Sequence, residues 1–143
     1  MSLSPQAEAN IATAKRFLEL LAQSEMAGVV ELFADDAVLE FPFRPPGAKD
    51  DVVGKAAIAD YFQGTKGYKK PESFPIKAVY PGHDPDVVFV EFEGHLVNTR
   101  TAERYSNDYI ALFRFREGKI RQFREFFDSL RRARFESGGA EAS

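Results

Sequence analysis

The chain has no cysteine and no tryptophan, and its 143 residues include only two histidines and two methionines. Without cysteine there is no disulfide framework, no thiolate nucleophile and no zinc–thiolate site. His83 and His95 do not show the spacing that a haem or a two-histidine, one-carboxylate metal site requires. The sequence also lacks a Gly-rich phosphate loop and a nucleophile elbow. Acid–base catalysis by a carboxylate remains among the common chemistries, and we expect no metal and no cofactor.

Long hydrophobic runs and an excess of positive charge are missing too. No apolar run approaches the roughly 20 residues of a membrane span, and the N-terminal residues lack the apolar core of a secretory signal. The net charge of −3 argues against nucleic acid as the main partner. We therefore expect a cytoplasmic protein that binds neither membranes nor nucleic acid. Fourteen phenylalanines and five tyrosines are enough for a core and for a pocket that binds a small hydrophobic or aromatic ligand.

Helix signals come first along the chain. Ser4 and Pro5 are typical of a helix start, with serine as the cap and proline at the first helical position. The spacing of apolar residues predicts helices over residues 6–23, over about 25–33, and from Gly54 onward, where Ile58, Tyr61 and Phe62 share one stripe. Asp35 and Asp36 interrupt the pattern after the second helix.

Strand signals fill the rest of the chain. Strands are predicted over 37–43, 74–80, 87–97, 105–116 and 119–128, with 64–73 as a loop and a tight hairpin at Glu117-Gly118. Residues 130–135 either extend the last strand or form a final helical turn. This order of elements predicts an α+β fold, with the helices on one face of a curved antiparallel sheet. We expect one domain over residues 1–136 and a disordered tail over 137–143.

The last predicted strand carries a carboxylate between two aromatic rings. Because alternate residues of a strand point to the same side, Phe123, Glu125 and Phe127 share one face. If that face is apolar, burial raises the pKa of Glu125 toward neutrality and makes it a general acid or base. If the face is open to water, Glu125 is an ordinary solvated residue.

The register of the final hairpin decides which residues join Glu125. A two-residue turn at Glu117-Gly118 predicts that Ile110 lies opposite Glu125 and that Leu112 faces Phe123. The same register places Asp108 opposite Phe127, either as a second pocket carboxylate or as a rim residue. Glu91 reaches the pocket if the strand before the hairpin pairs in the corresponding register. The opposite side would then hold a second apolar set, Tyr109, Phe113, Phe115, Ile120 and Phe126, which predicts a homodimer through the sheet.

Three stretches of the sequence resemble the NTF2-like, or SnoaL-like, superfamily. They are residues 32–40, the Gly54-x-x-x-Ile58-x-x-Tyr61-Phe62 pattern, and Gly118-Lys119-Ile120 with Asp128. The resemblance spans roughly residues 8–130. It implies an NTF2-like α+β cone, in which about three N-terminal helices pack on a curved mixed or antiparallel sheet that encloses a pocket, and it implies a dimer. It specifies the fold better than the reaction, because isomerases, cyclases, epoxide hydrolases, dehydratases and non-enzymes share it.

The resemblance also separates the branches of that superfamily. At the positions of the three polar catalytic residues of ketosteroid isomerases this chain has Phe17, Phe41 and Ile110, so it does not resemble those enzymes in chemistry. Arg124-Glu125-Phe126 is similar to a run in the phenazine-biosynthesis PhzA/PhzB-type proteins, whose acid–base residue is that glutamate. SnoaL-like polyketide cyclases place an aspartate there. The resemblance therefore implies that Glu125 is the acid–base residue of a polyketide-cyclase-like site.

Two functions follow from these observations. The first is a cofactor-free isomerase, cyclase or dehydratase that acts on a hydrophobic or aromatic carbonyl metabolite, with Glu125 as general acid or base. Its pocket walls are predicted to be Phe17, Phe41, Tyr61, Phe62, Ile110, Leu112, Phe123 and Phe127, with Asp108 and Glu91 as further polar candidates. The second is a pocket that only binds or carries a hydrophobic ligand. A protein-interaction module is a third possibility, but no segment of the sequence suggests one.

Overall fold

The structure is a computed structural model that describes residues 2–48, 51–64 and 68–136. Four helices occur in this part of the chain: α1 (Pro5–Ala22), α2 (Met26–Glu31), α3 (Lys55–Gly64) and α4 (Ser129–Glu136). The Ser4 hydroxyl caps α1 by accepting a hydrogen bond from the Ala7 backbone N–H at 3.1 Å, and Pro5 occupies the first turn. Residues 130–135, for which the sequence left a strand extension or a helical turn open, belong to helix α4.

Seven strands form one sheet: β1 (Phe33–Glu40), β2 (Val52–Val53), β3 (Lys69–Ser73), β4 (Ile76–Pro81), β5 (Val87–Asn98), β6 (Arg104–Arg116) and β7 (Lys119–Phe127). Their spatial order is β2-β1-β7-β6-β5-β3, and β4 also pairs with β5. The β1–β7 pair is parallel and the others are antiparallel, so the sheet is mixed. Helices on one side of this sheet enclose the core, which confirms the predicted α+β cone.

Two predicted boundaries were wrong. Residues 64–73 were assigned to a loop, yet Lys69–Ser73 forms β3 and pairs with β5 despite its proline and lysines. Asp35 and Asp36 do not precede β1 but lie inside it, where the pairing with β7 is interrupted between Phe33 and Val38. An irregularity within a strand and a strand boundary look alike in the sequence, because both place polar residues between apolar ones. The predicted tail at 137–143 lies outside the described residues.

The pairing register of the hairpin between β6 and β7 differs from the predicted one. Glu117 and Gly118 both have positive φ, 52° and 78°, as the predicted tight turn requires. Two residues further on, Phe115 pairs with Ile120 whereas Arg114 pairs with Gln122, so β7 contains one extra residue, Arg121. This β-bulge shifts every pair beyond it by one position and exchanges the two faces of β6 relative to Glu125.

In the observed register, the residues that were predicted to lie on the dimer face are part of the core. Beyond the bulge, Glu125 pairs with Ala111 and Phe123 pairs with Phe113. Four residues that were assigned to a dimer face are buried here: Tyr109, Phe113, Phe115 and Ile120. Phe17 from α1 packs against Phe113 and Phe123, with ring centroids 5.5 and 5.0 Å apart. Helix α1 is thereby anchored on the concave face of the sheet.

Candidate functional site

A cavity of about 110 Å³ lies between the concave face of the sheet and the helices. Its lining is mostly aromatic and aliphatic, with Glu125, Lys69 and Arg132 as the charged residues. The aromatic part comprises Phe17, Phe41, Tyr61, Phe62, Phe74, Tyr105, Tyr109, Phe123 and Phe135. A small apolar cavity with a few polar groups is the usual form of a small-molecule site.

Glu125 contributes the carboxylate of this cavity. Although part of its surface stays accessible, protein atoms surround the carboxyl, and this burial raises its pKa from 4.5 to about 7. The positive charge of Arg132 acts in the opposite direction and lowers the pKa of Glu125. Within the described ranges, no hydrogen bond or ion pair to the Glu125 carboxylate occurs. The group therefore exists in both protonation states near neutral pH and is available to a ligand.

A second and wider space adjoins the inner cavity. This vestibule has a volume of about 300 Å³, and four residues line both spaces: Phe41, Tyr61, Lys69 and Arg132. The rings of Phe41 and Tyr61 stack with centroids 5.6 Å apart. An engineered cavity of about 150 Å³ holds one benzene molecule, so the inner cavity holds less than a full ring. A ligand of larger size must extend past these four side chains into the vestibule.

An ion-paired group occupies the passage between the two spaces. Glu136 accepts hydrogen bonds from Lys69 Nζ at 2.8 Å and from Arg132 Nε at 2.9 Å. Burial opposes the ionisation of Glu136, but Arg132 and Lys69 outweigh it and lower its pKa. The Arg132 guanidinium also lies 5.3 Å from the centroid of the Phe127 ring. Helix α4 thus supplies the fixed positive charge that faces Glu125.

The structure brings seven of the eleven predicted site residues together. Six of them line the inner cavity: Phe17, Phe41, Tyr61, Phe62, Phe123 and Glu125. Phe127 lines the vestibule and packs against Phe41, with centroids 6.5 Å apart. Helix and strand periodicity placed these residues on the inner faces of their elements, and the family resemblance favoured a pocket there.

The other four predicted residues, Asp108, Ile110, Leu112 and Glu91, lie on the convex face of the sheet, and their predicted placement in the pocket was wrong. Because of the β-bulge, Ile110 pairs with Phe126 and remains 37% exposed, whereas Leu112 pairs with Arg124. Glu91 pairs with Ile110 and accepts a hydrogen bond from Tyr80 at 3.4 Å.

Asp108 likewise faces away from the cavity. It pairs with Glu93 in the β5–β6 ladder and forms long ion pairs with Lys77 at 3.6 Å and Arg131 at 3.7 Å. His95 lies on the same convex face and contacts Glu93. No group of three or more potential metal ligands is found in the part of the chain that the structure describes.

Sequence reasoning missed the polar residues that surround Glu125. Tyr105, Asn107 and Tyr109 alternate along β6, which is a signal of a shared face. The assumed register placed Tyr109, and with it that face, on the side away from Glu125. Arg132 and Phe135 come from the helix that was left undecided, so their positions were not predictable. In the described ranges, no helix is long and apolar enough to cross a membrane.

Comparison with known proteins supports the fold and places the chain in a family. The family model of the SnoaL-like domain matches residues 14–123 and ends two residues before Glu125. A PhzA/B-like protein of Pseudomonas aeruginosa, PA3332, is 33% identical over 130 residues, which cover 88% of each chain. The Bacillus subtilis protein YesE is 32% identical over 120 residues, covering 82% of this chain and 80% of YesE.

A solved structure agrees with the whole molecule. The crystal structure of a candidate isomerase from Bacillus subtilis superposes with a TM-score of 0.86 at 28% identity, covering 98% of this chain and 100% of that one. The arrangement of helices on a curled sheet around a cavity defines an NTF2-like α+β protein. The chain belongs to the SnoaL-like family, as the three sequence stretches suggested.

Proposed function

We propose that the protein is a cofactor-free enzyme of the isomerase, cyclase or dehydratase type, with Glu125 as its general acid and base. The observation that carries the proposal is the Glu125 carboxyl, which lies in an apolar cavity, has a pKa of about 7 and makes no hydrogen bond with the described residues. An acid–base group is most useful when its pKa is close to the working pH. The family membership supports a small-molecule substrate.

The chemistry is a proton transfer within one bound molecule. An ionised Glu125 removes a proton from a carbon or oxygen of the substrate, and the protonated carboxyl returns it at another position. The aromatic walls hold a flat substrate, and the apolar cavity excludes competing water. Arg132 keeps enough of the carboxylate ionised to act as a base. One positioned acid–base group accelerates a reaction by roughly 10²–10⁴-fold, which suffices for a substrate that is intrinsically reactive.

The size of the two spaces narrows the substrate class. The inner cavity holds less than a full ring, so a substrate whose carbonyl group enters it must place the rest of the molecule past Phe41 and Arg132 and in the vestibule. We expect a hydrophobic or aromatic carbonyl compound.

The experiment is a comparison of wild-type protein with Glu125→Gln, which keeps the shape of the side chain but cannot act as a general acid or base near neutral pH. Conjugated carbonyl compounds are screened for proton exchange with deuterated water by NMR. Wild type should catalyse the exchange, with a pH–rate profile that has an apparent pKa near 7. Glu125→Gln should lose roughly 10²-fold or more in rate while it still binds the same compound.

One control variant and two outcomes decide between an enzyme and a carrier. Glu91→Gln removes a carboxylate from the convex face, so it should react like wild type. If Glu125→Gln exchanges protons as fast as wild type, the acid–base proposal is wrong. Binding without any exchange in either protein would favour the alternative function, a carrier of hydrophobic ligands.

We also propose that two copies associate through the convex face of the sheet. After the register correction, the large apolar residues of this face include Phe89, Ile110, Leu112 and Phe126. Ile110 is the most exposed of these four residues, at 37%, whereas Leu112 is buried. Phe43 extends the patch through its contact with Phe126, with ring centroids 5.6 Å apart. A second copy would remove this apolar area from water.

A further inference from the structure

Three side chains of β6 form a hydrogen-bonded group in the core that the proposed function does not use: Tyr105, Asn107 and Tyr109. The orientation of the Asn107 amide is set by the backbone, because its Oδ1 accepts hydrogen bonds from the N–H groups of Asp108 at 2.8 Å and Asp128 at 3.2 Å. Its Nδ2 therefore donates, to the Asp128 carbonyl at 2.9 Å and to the Tyr105 hydroxyl at 2.6 Å.

A count of hydrogens shows that this group has one donor left over. The Tyr109 hydroxyl donates to the Tyr105 hydroxyl, with the two oxygens 3.1 Å apart. Tyr105 thus accepts two hydrogen bonds, and its own O–H has no acceptor in the part of the chain that the structure describes. Both tyrosines are almost fully buried, at 4% and 6% exposed, and both line the inner cavity. A buried hydroxyl that accepts two hydrogen bonds is a strengthened donor that needs a partner.

The Tyr105 donor and Glu125 line the same cavity, and Tyr109 lies between them. Glu125 pairs with Ala111 and Phe127 pairs with Tyr109, so Tyr109 and Glu125 are diagonal neighbours on one face of the sheet. The negative charge of Glu125 acts on both hydroxyls and contributes to the raised pKa values of Tyr105 and Tyr109, after burial as the main cause. The cavity therefore contains an acid–base carboxyl and a separate hydrogen-bond donor.

The packing holds the tyrosines in place. The Tyr109 ring stacks on Phe92, with centroids 5.0 Å apart and planes at 8°, and it lies over Gly94. A Cβ at Gly94 would come within 2.6 Å of the Tyr109 ring, so glycine is required for this close approach. The Tyr105 ring packs against Phe135 of α4, with centroids 4.8 Å apart. The donor is preorganised, as a group that stabilises developing charge must be.

We propose that the Tyr105 hydroxyl binds the carbonyl oxygen of the ligand, so that the site selects compounds that form an enolate or phenolate oxygen. This inference rests on the proposed function and names its substrate class. Glu125 takes the proton from the carbon next to the carbonyl group. The electron pair of that C–H bond forms the new C=C bond, and the carbonyl π pair moves to oxygen, where Tyr105 donates its hydrogen bond. The proton then returns from Glu125 to a different atom of the enolate.

The test uses 4-nitrophenol, whose anionic form absorbs visible light, in a Glu125→Gln background. The neutral glutamine removes the repulsion between the carboxylate and a phenolate, and it makes the result independent of catalysis by Glu125. Nitrobenzene serves as the comparison ligand, because it has the same ring but no phenolic oxygen. Binding and the ionisation of the bound phenol are followed by absorbance over a range of pH.

We expect the Glu125→Gln protein to bind the phenolate form preferentially. Adding Tyr105→Phe should weaken phenolate binding roughly ten- to hundredfold and leave the affinity for nitrobenzene unchanged. Tyr109→Phe should have a smaller effect, since it removes only a donor to Tyr105. Tyr80→Phe, on the exposed convex face, should bind the phenolate like the parent. The phenylalanine ring preserves the packing against Phe135, and thermal unfolding of each variant checks that it folds.

Three results would overturn the assignment. The first is equal phenolate affinity with and without Tyr105→Phe, including no measurable binding by either protein. The second is a parallel loss for nitrobenzene, which would mean that only packing changed. The third is a larger loss for Tyr109→Phe than for Tyr105→Phe, which would make Tyr109 the free donor. None of these outcomes depends on whether Glu125 is catalytic, so the two proposals fail separately.

Discussion

The buried carboxyl of Glu125 should make the protein less stable as the pH rises, and glutamine at this position should remove the effect. The pKa of Glu125 rises from 4.5 in an exposed chain to about 7 in the folded protein. The folded state therefore binds this proton more tightly than the unfolded state does. A raised pKa contributes stability that is fully present below pH 4.5 and is lost as the pH rises through about 7.

The change in the free energy of unfolding follows from the shift in the pKa of Glu125. One pKa unit corresponds to about 1.4 kcal/mol, so the displacement of Glu125 is worth about 3 kcal/mol of the free energy of unfolding. The attraction of Arg132 is already included in this figure, because it acts on the pKa of the folded protein. In a domain with a total stability of about 5–15 kcal/mol this is a large fraction.

Denaturant unfolding of wild type and Glu125→Gln, measured from about pH 4 to pH 8.5, tests the reasoning. The variant should gain stability relative to wild type as the pH rises, reaching about 3 kcal/mol in its favour above the folded pKa. Glu91→Gln, on the convex face, gives the effect of removing a carboxylate outside the cavity. Parallel stability curves for wild type and Glu125→Gln would show that the carboxyl is well hydrated, and the proposed acid–base role would then lose its physical basis.

Two further predictions concern the charge next to Glu125 and the convex face. Arg132→Met removes the cation that lowers the pKa of Glu125, so NMR titration of the Glu125 carboxyl should show a pKa further above about 7; an unchanged or lower value would contradict the assigned role of Arg132. Ile110→Asp places a charge in the exposed apolar patch and should convert a dimer into a folded monomer in sedimentation experiments. Wild-type protein that sediments as a monomer at all concentrations would refute the proposed association.

The residues that were placed correctly lie on stretches of helix or strand in which the period itself is uninterrupted. Spacing placed Phe17 on α1, Tyr61 and Phe62 on α3, and Phe123 and Glu125 on β7 on the inner faces of their elements. The family resemblance then favoured a pocket at Glu125 over a face open to water. Their elements begin and end close to the predicted residues, and their apolar faces have only one large space to fill. The position of Glu125 in the cavity was therefore predictable, whereas its role as an acid–base residue stays a proposal.

The residues that were placed wrongly depend on a single inserted residue. Arg121 has no special sequence signature, yet its extra position in β7 reverses the face of every residue beyond it on β6. For that reason Tyr109 and Ala111 lie on the same face as Glu125, where Ile110 and Leu112 had been predicted. A bulge of this kind is stabilised by the packing of the completed sheet, so local propensity does not reveal it.

The amino-acid sequence by itself determined the class of the fold, because hydrophobic periodicity and turn residues are local properties that act within a few positions of the chain. It also determined the family and the carboxylate on the last strand. Only the tertiary structure decided which groups meet that carboxylate. Arg132 of helix α4 lines the same cavity as Glu125, and so do Tyr105 and Tyr109 of the neighbouring strand β6. Their convergence depends on strand register and helix packing, which arise from contacts between residues far apart in sequence.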